Sequence, residues 1–450
     1  MDTIRTYLHD YLNYNVLSDE FYTYIAEWDN WYKGDVKSFH HYTQYNGSQL
    51  VSRKLYSLGM AKKVCEDHAN LQLNEKLTIS TGNNQFDEVL ETVLNDNNFR
   101  LRANQLIELS YALGTGALVE YKDADGRVII DYIRAPMITP LSSDNGDITE
   151  AAFGSNKNIK GQDAYYINIH TKTADGYQIE NKVVAKDKFG IKVIAIEEIQ
   201  QMTYSVLPRF QIITPNIVNN IDYDSAMGIS VYANAIDQLK AVDLAYDSYV
   251  NEYVLGKKRI IVPYSMVQIM KDAEGIGTPI FDPNDIVFYG LPSEAVDTIH
   301  EINMTIRNEE HDAGIERFLS LLSDKCGLGK QRYKLESGSA KTATEVISEQ
   351  SELYQNMKKN RLSIDSALKS MVMSIAEMTG FDPYTLEIKI DYDDSIITDK
   401  ETERSRMMQF VSTGKYPFWR YLVNYENYTE DEAKAIEAEG KASTSFNFGA

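Results

Sequence analysis

The stretch TATEVISEQSELYQNMKKNRLSIDSALKSMVMSIAEM, Thr342 to Met378, decides how the rest of this chain is read. Thr342 and Glu345 stand three apart, the spacing at which each side chain accepts from the other's free backbone N–H at a helix start. Neither proline nor glycine interrupts the run before Gly380. The spacing therefore predicts one continuous helix, about 55 Å long at ~1.5 Å per residue. Few globular helices reach that length. Just upstream, Cys326 to Ala340 carries glycines, serines and the cations Lys330, Arg332 and Lys334 without an apolar period, which predicts a loop.

Two further helices precede the loop. One runs from about Ser230 to Leu255, with Ile236, Leu239, Val242, Ala245, Tyr249, Val250 and Tyr253 on an apolar face and Asp237, Lys240, Asp243 and Asp247 opposite. The other starts near Ser293 or Ile302, runs to Leu322, and is stopped by Gly327 and Gly329. Between them lie strand-like pieces at Arg259 to Pro263 and Asp285 to Gly290, joined by a short helix around Ser265 to Lys271. After the long helix, Tyr384 to Asp391 alternates apolar and polar, a strand returning to a sheet already made. The last fifty residues read as short helices, with Thr398/Glu401 and Thr429/Glu432 at the same capping spacing and a polar tail after Lys441.

The first eighty residues are mainly helical by spacing, with Tyr7, Leu8, Tyr11 and Leu12, then Met60, Val64, His68 and Leu71 on apolar faces. Gly34, closing WDNWYKGD, ends a helix; others are expected from about Phe86 to Leu94 and Arg102 to Ala112. From Ala117 the pattern becomes strands. ALVEYK, the turn Asp123 to Gly126 and RVIIDYI read as a hairpin, and Ala164 to His170, Tyr177 to Val184 and Lys188 to Ile196 extend an antiparallel region to about Ile213. The fold class is α+β, with no internal repeat.

Bulk properties exclude several functions. A chain of 450 residues has length for about three domains. Its formal net charge of −21, from 45 basic and 66 acidic side chains, argues against a broad phosphate-gripping surface. Any nucleic-acid contact must be narrow. Cys65 and Cys326 are too few for a disulfide framework or a zinc site, no basic-then-apolar leader opens the sequence, and no run approaches the ~20 apolar residues of a membrane helix. The 31 tyrosines suit interfaces, where the ring buries area and the hydroxyl keeps a hydrogen bond.

Chemistry-bearing motifs fail one by one. His40 and His41 are adjacent but lack other ligands at metal spacing. GLGK at Gly327 to Lys330 is not a phosphate loop, because Asp324 stands where its first glycine belongs and Gln331 replaces the Ser/Thr. LGTGA at Leu113 to Ala117 follows a helix and precedes a strand, the reverse of a dinucleotide fingerprint, and reads as a tight turn. Asp391, Asp393, Asp394 and Asp399 lack the glycine and bidentate glutamate of a calcium loop, so a solvated strand end is preferred to a cation site or a magnesium nuclease. No nucleophile motif occurs, and Cys326 has no base nearby in sequence. We expect no enzyme activity, no cofactor and no metal.

Four segments carry a resemblance: MAKKVCEDHANLQLNEKLTI (Met60 to Ile79), LGTGA (Leu113 to Ala117), PNIVNNIDYDSAMGISV with NAIDQLKAVD after it (Pro215 onward), and SGSAKTATEV (Ser337 to Val346). In order and spacing the chain resembles the portal proteins of tailed phages of Gram-positive bacteria, the SPP1-like and A118-like group. The resemblance implies a homo-oligomeric ring, usually of twelve subunits, around a channel for double-stranded DNA. It implies a mixed α/β wing at 1–229, stem helices at 230–256 and 301–325, and a small clip at 257–300 facing the terminase large subunit and the head–tail adaptor. It further implies a tunnel loop at 326–341 with Lys330, Gln331, Arg332 and Lys334 toward DNA, a long helix at 342–380 capped by Thr342 and Glu345, a returning strand at 381–397, and a short helical crown at 398–450. Packaging and ejection at the portal vertex of a virion, assembly in the host cytoplasm, and contacts with major capsid and scaffolding proteins follow from the same resemblance. Three cations per subunit in a narrow belt would meet a duplex carrying one phosphate per ~1.7 Å, weakly enough to let it slide. The competing reading of the same architecture is a minor head structural protein without a channel.

Overall fold

The structure is a computed structural model that describes residues 2–45, 47–73, 77–159, 162–187, 190–194, 202–263, 269–271, 277–279, 288–291, 299–334, 343–392, 400–426 and 428–445. Helix α1 (Asp2–Thr6) runs into a π turn, and α2 (Asp19–Tyr32) buries Phe21, Ile25, Trp28 and Trp31. Gly34 ends α2 as expected: Gly34 N donates to Trp31 O and Asp35 N to Asn30 O, the paired bonds of a Schellman motif. A short helix α3 (Lys37–His40) leads to a hairpin of β1 (His41–Tyr45) and β2 (Leu50–Lys54), in a region the spacing had marked as helical. Its side chains are almost all exposed, so no apolar alternation announced it.

Helix α4 (Met60–Gln72) buries Met60, Val64, His68 and Leu71 as its spacing requires. After β3 (Thr78–Ser80) come α5 (Asn84–Asp96) and α6 (Phe99–Leu113). Strands β4 (Gly116–Lys122) and β5 (Val128–Arg134) form the expected hairpin, Lys122 opposite Val128. A larger antiparallel sheet follows, of β6 (Ile138–Asp144), β7 (Asp147–Ile159), β8 (Gln162–Thr173), β9 (Gly176–Asp187) and β10 (Gly190–Val193), with β11 (Met202–Ser205) also on β9. Strand β12 (Phe210–Ile213) returns to β4. LGTGA and the MGISV segment meet here. A Cβ on Gly114 would lie 2.3 Å from Gly228 O, and Gly228 N donates to Thr115 Oγ1 at 3.0 Å, so only glycine permits the approach.

Helix α7 (Ile236–Leu255) pairs with α8 (Asn308–Lys325) across an excursion of short strands. In it, β13 (Arg259–Pro263) lies parallel to β16 (Phe288–Leu291) and antiparallel to β17 (His300–Ile302), and β14 (Ile269–Lys271) pairs with β15 (Gly277–Pro279). Two expectations need correction. Residues 269–271 are strand rather than the end of a short helix, and 300–302 are strand, so α8 begins later than expected. Ladder pairing of Arg259 with Ile302 closes the excursion at its neck, which a helix starting near Ile302 would leave open.

Helix α9 (Ala343–Thr379) is the expected long helix, buried through Met357, Ile364, Leu368, Met371, Val372, Ile375 and Ala376. The segment after it turns as a short 3-10 element at Pro383–Thr385, and only β18 (Lys389–Asp391) is strand, paired with β3 rather than with the larger sheet. By backbone contacts the chain divides into two units, residues 76–78 with 391–450 forming the smaller. That smaller unit holds α10 (Lys400–Ser412), α11 (Phe418–Glu426) and α12 (Glu430–Ser445) around Tyr421, Leu422 and Ala433. The Thr429/Glu432 capping box forms, Thr429 N donating to Glu432 at 3.0 Å and Glu432 N to Thr429 Oγ1 at 3.4 Å. Thr342, Thr398 and the side chains of Glu345 and Glu401 lie outside the described residues, as do Asp393, Asp394 and Asp399.

Candidate nucleic-acid interface

Helix α8 stops where Gly327 (φ +76°) takes a left-handed conformation, with Gly327 N donating to Asp324 O and Leu328 N to Ser323 O. The chain then turns through Lys330 to Lys334, Lys334 N donating to Gln331 O at 3.3 Å. Three contacts fix this turn. His68 Nε2 bonds Cys326 O at 2.9 Å, Asn356 Nδ2 of α9 donates to Gly327 O at 3.1 Å, and Asp67 of α4 receives Arg332 Nη2 at 3.2 Å and the Tyr333 hydroxyl at 2.8 Å.

The four expected loop residues therefore divide. Lys330 and Lys334 are exposed and make no ion pair among the described residues. Arg332 is tied back to Asp67, which also holds Lys63 at 3.0 Å, and Gln331 Oε1 is buried without a hydrogen-bond partner. Burial pushes the Asp67 carboxyl up, but the hydrogen bonds from Arg332, Lys63 and Tyr333 outweigh it and hold the carboxyl below its ordinary range. His68, fully buried with its ring tilted against Tyr111, is driven down to about 4 by desolvation and stays neutral at pH 7. Burial likewise raises both Cys65 and Cys326, which are free thiols deep in the protein.

The long helix receives the other elements through its middle turns. Gln72 Nε2 of α4 donates to Met357 O at 3.1 Å, and Asn216 donates from its backbone N to Asn360 Oδ1 at 2.9 Å and from its side chain to Lys359 O at 2.8 Å. One helix thus gathers α4, the end of α8 and the segment after β12.

Asp243 and Asp247 lie on the face of α7 opposite its apolar stripe, yet both are buried. Asp243 Oδ2 accepts from His40 Nε2 and from the Ser57 hydroxyl, each at 2.9 Å, and its Oδ1 from Leu58 N at 2.8 Å. Asp247 accepts from Tyr56 N at 3.0 Å. The set superficially suggests a catalytic triad, but Ser57 faces the carboxylate, and His40 Nδ1 accepts from Val36 N at 2.8 Å, so no imidazole lone pair meets the hydroxyl. The cluster clamps the chain after the β1–β2 hairpin onto α7. At the far end of α7, Glu252 accepts from Arg307 Nη2 at 2.8 Å and from His311 at 2.5 Å, and Tyr249 stacks on His311. Arg307 first, then His311, draws the Glu252 carboxyl down to about 2. This clamp lies just below the neck of the excursion.

Residues 15–445 match the family model described as phage portal protein, SPP1 Gp6-like. The chain belongs to that family. No curated protein matches it in sequence. Among solved structures it is similar to a chain titled "Neck of native GTA particle computed with C12 symmetry", at 11% identity and a TM-score of 0.39, over 84% of this chain and 89% of that one. At that score the likeness carries no argument about function. In this portal-family protein the described residues contain no group of three or more His, Cys, Asp or Glu side chains that could hold a metal, and no helix long and apolar enough to cross a membrane.

Proposed function

We propose that the protein is a non-enzymatic virion component that closes into a ring, of twelve subunits, at one capsid vertex and conducts double-stranded DNA during packaging and ejection. Membership of the portal family carries this reading. The geometry that supports it is the α7–excursion–α8 hairpin, followed at once by a turn held against α9 whose two lysines make no ion pair among the described residues. Leu244 and Leu255 on α7 and Phe318 and Leu321 on α8 are exposed, apolar surface that side-by-side copies would cover. Lys330 and Lys334 repeated around a ring form a narrow cationic belt on an acidic protein, suited to guiding a sliding duplex rather than gripping it.

On this reading the excursion at 257–300 docks the terminase large subunit and later the head–tail adaptor, and the outer surface meets capsid and scaffolding proteins. Assembly takes place in the host cytoplasm. End-on negative-stain images of the purified protein are expected to show annuli with a hole as wide as a duplex. A stable monomer at micromolar concentration would overturn the proposal.

A further inference from the structure

Where α9 docks on the β12–β4–β5 sheet, a carboxyl group is short of hydrogen-bond donors. Glu120 on β4 is 1% exposed. Its Oε2 accepts from Gln211 Nε2 of β12 at 3.1 Å, and its Oε1 is buried without a partner. Ser374 of α9 lies beside it, and Ser374 Oγ and Gln211 Oε1 are likewise buried and unpartnered. A carboxylate only accepts, so an ionised Glu120 buries its charge short of donors. One added proton eases the shortage, because Oε1–H can then donate to the Ser374 Oγ beside it.

We propose that Glu120 is a proton-binding site, a neutral carboxylic acid at pH 7 that joins the sheet to the C-terminal half of α9, and that loss of its proton loosens this joint. The charged and titratable groups around it leave the proton in place. Arg209, beside β12, is the nearest cation, but its Nε donates to Ser205 Oγ at 3.1 Å. Glu377, one turn beyond Ser374, is turned to other donors, accepting from Ser205 Oγ, Val206 N and Leu207 N. Tyr132 on β5 also feels the Glu120 charge, and His170 on β8, beside Arg209, is held neutral by burial. Desolvation, opposed by Gln211, Ser374 and Arg209, raises the Glu120 carboxyl to about 8. Among the described glutamates it is the one raised. The inference concerns the subunit's own packing and does not rest on the DNA-conduit reading.

The test uses the full chain, as isolated, with glutamate labelled at the δ carbon. Infrared spectra at pH 6 to 7 are expected to show the C=O stretch of a protonated glutamic acid, lost near pH 8 and absent from Glu120→Gln. Hydrogen exchange at 365–379, corrected for intrinsic rate, should accelerate by roughly tenfold per pH unit between about pH 5 and 8 and then level, since an opened joint releases the proton that the closed one keeps. Glu120→Gln supplies a donor and an acceptor permanently and should flatten that slope. An ionised band at pH 6, a wild-type slope of zero, or an unchanged slope in the variant would each overturn the proposal. If the variant fails to fold, the wild-type infrared titration decides alone.

Discussion

Asp67 and Asp243 on one side, and Glu120 on the other, show two ways of burying a carboxyl group in the same molecule. Asp67 faces Arg332, Lys63 and Tyr333, and Asp243 faces His40, Ser57 and Leu58 N, so each carboxyl group meets three donors. Glu120 faces one. Burial is the main cause of the raised Glu120 carboxyl, and its few donors oppose that cost less than the three donors at Asp67 do. The two aspartates join segments far apart in sequence, α4 to the turn after α8 and the hairpin base to α7.

The largest effect expected from breaking this contrast is at Asp243. Asp243→Ala would leave His40 Nε2, the Ser57 hydroxyl and Leu58 N unpaired in the interior and cost about 3–5 kcal/mol, read as a fall in the chemical-denaturation midpoint. A loss under about 1 kcal/mol would show that the cluster contributes little.

Acid should open the Asp67 side next. His68 is held near 4 against an ordinary value of 6.5, so the unfolded chain binds a proton that the folded chain refuses, and stability should fall as pH drops through that window. The slope is up to about 1.4 kcal/mol per pH unit. His68→Gln, which can still donate to Cys326 O, should reduce it. Below that window the depressed Asp67 carboxyl adds a further loss as it takes up a proton.

The smallest stability effects separate the loop cations. Arg332→Ala is expected to cost about 1 kcal/mol, because the pair with Asp67 is partly exposed and screened, and to speed amide exchange at 326–334. Lys330→Ala with Lys334→Ala should stay within about 0.5 kcal/mol of the parent while slowing DNA packaging. Equal packaging defects in the arginine and the double-lysine variants, with equal stability, would erase the distinction between anchor and free cation.

Much of the architecture was legible in local chemistry. Gly34 and Gly327 end helices through backbone bonds, Thr429 and Glu432 cap one, and the uninterrupted run before Gly380 is a single helix, because each depends on neighbours within a turn. Where local pattern is silent the reading missed. Asn145-Gly146 makes the two-residue turn between β6 and β7, but Ser142 to Asp144 and Asp147 are polar, and a bulge near Pro140 breaks the alternation. The exposed β1–β2 hairpin likewise offers no apolar period. Asp243 and Asp247, at i and i+4 on a helix, have the spacing of a solvated face until the chain around Tyr56 to Leu58 packs on them.

The sequence by itself determined the family segments, the α+β class, the long helix and the position of the cationic turn, since those follow from short-range sterics, capping and periodicity. Only the tertiary structure decided that Arg332 is an anchor while Lys330 and Lys334 make no ion pair among the described residues, that two aspartates of α7 face inward, and that Glu120 is short of donors. Those are properties of pairs 91 to 265 residues apart, and no local rule counts the hydrogen bonds a buried group will find once distant chain segments close around it.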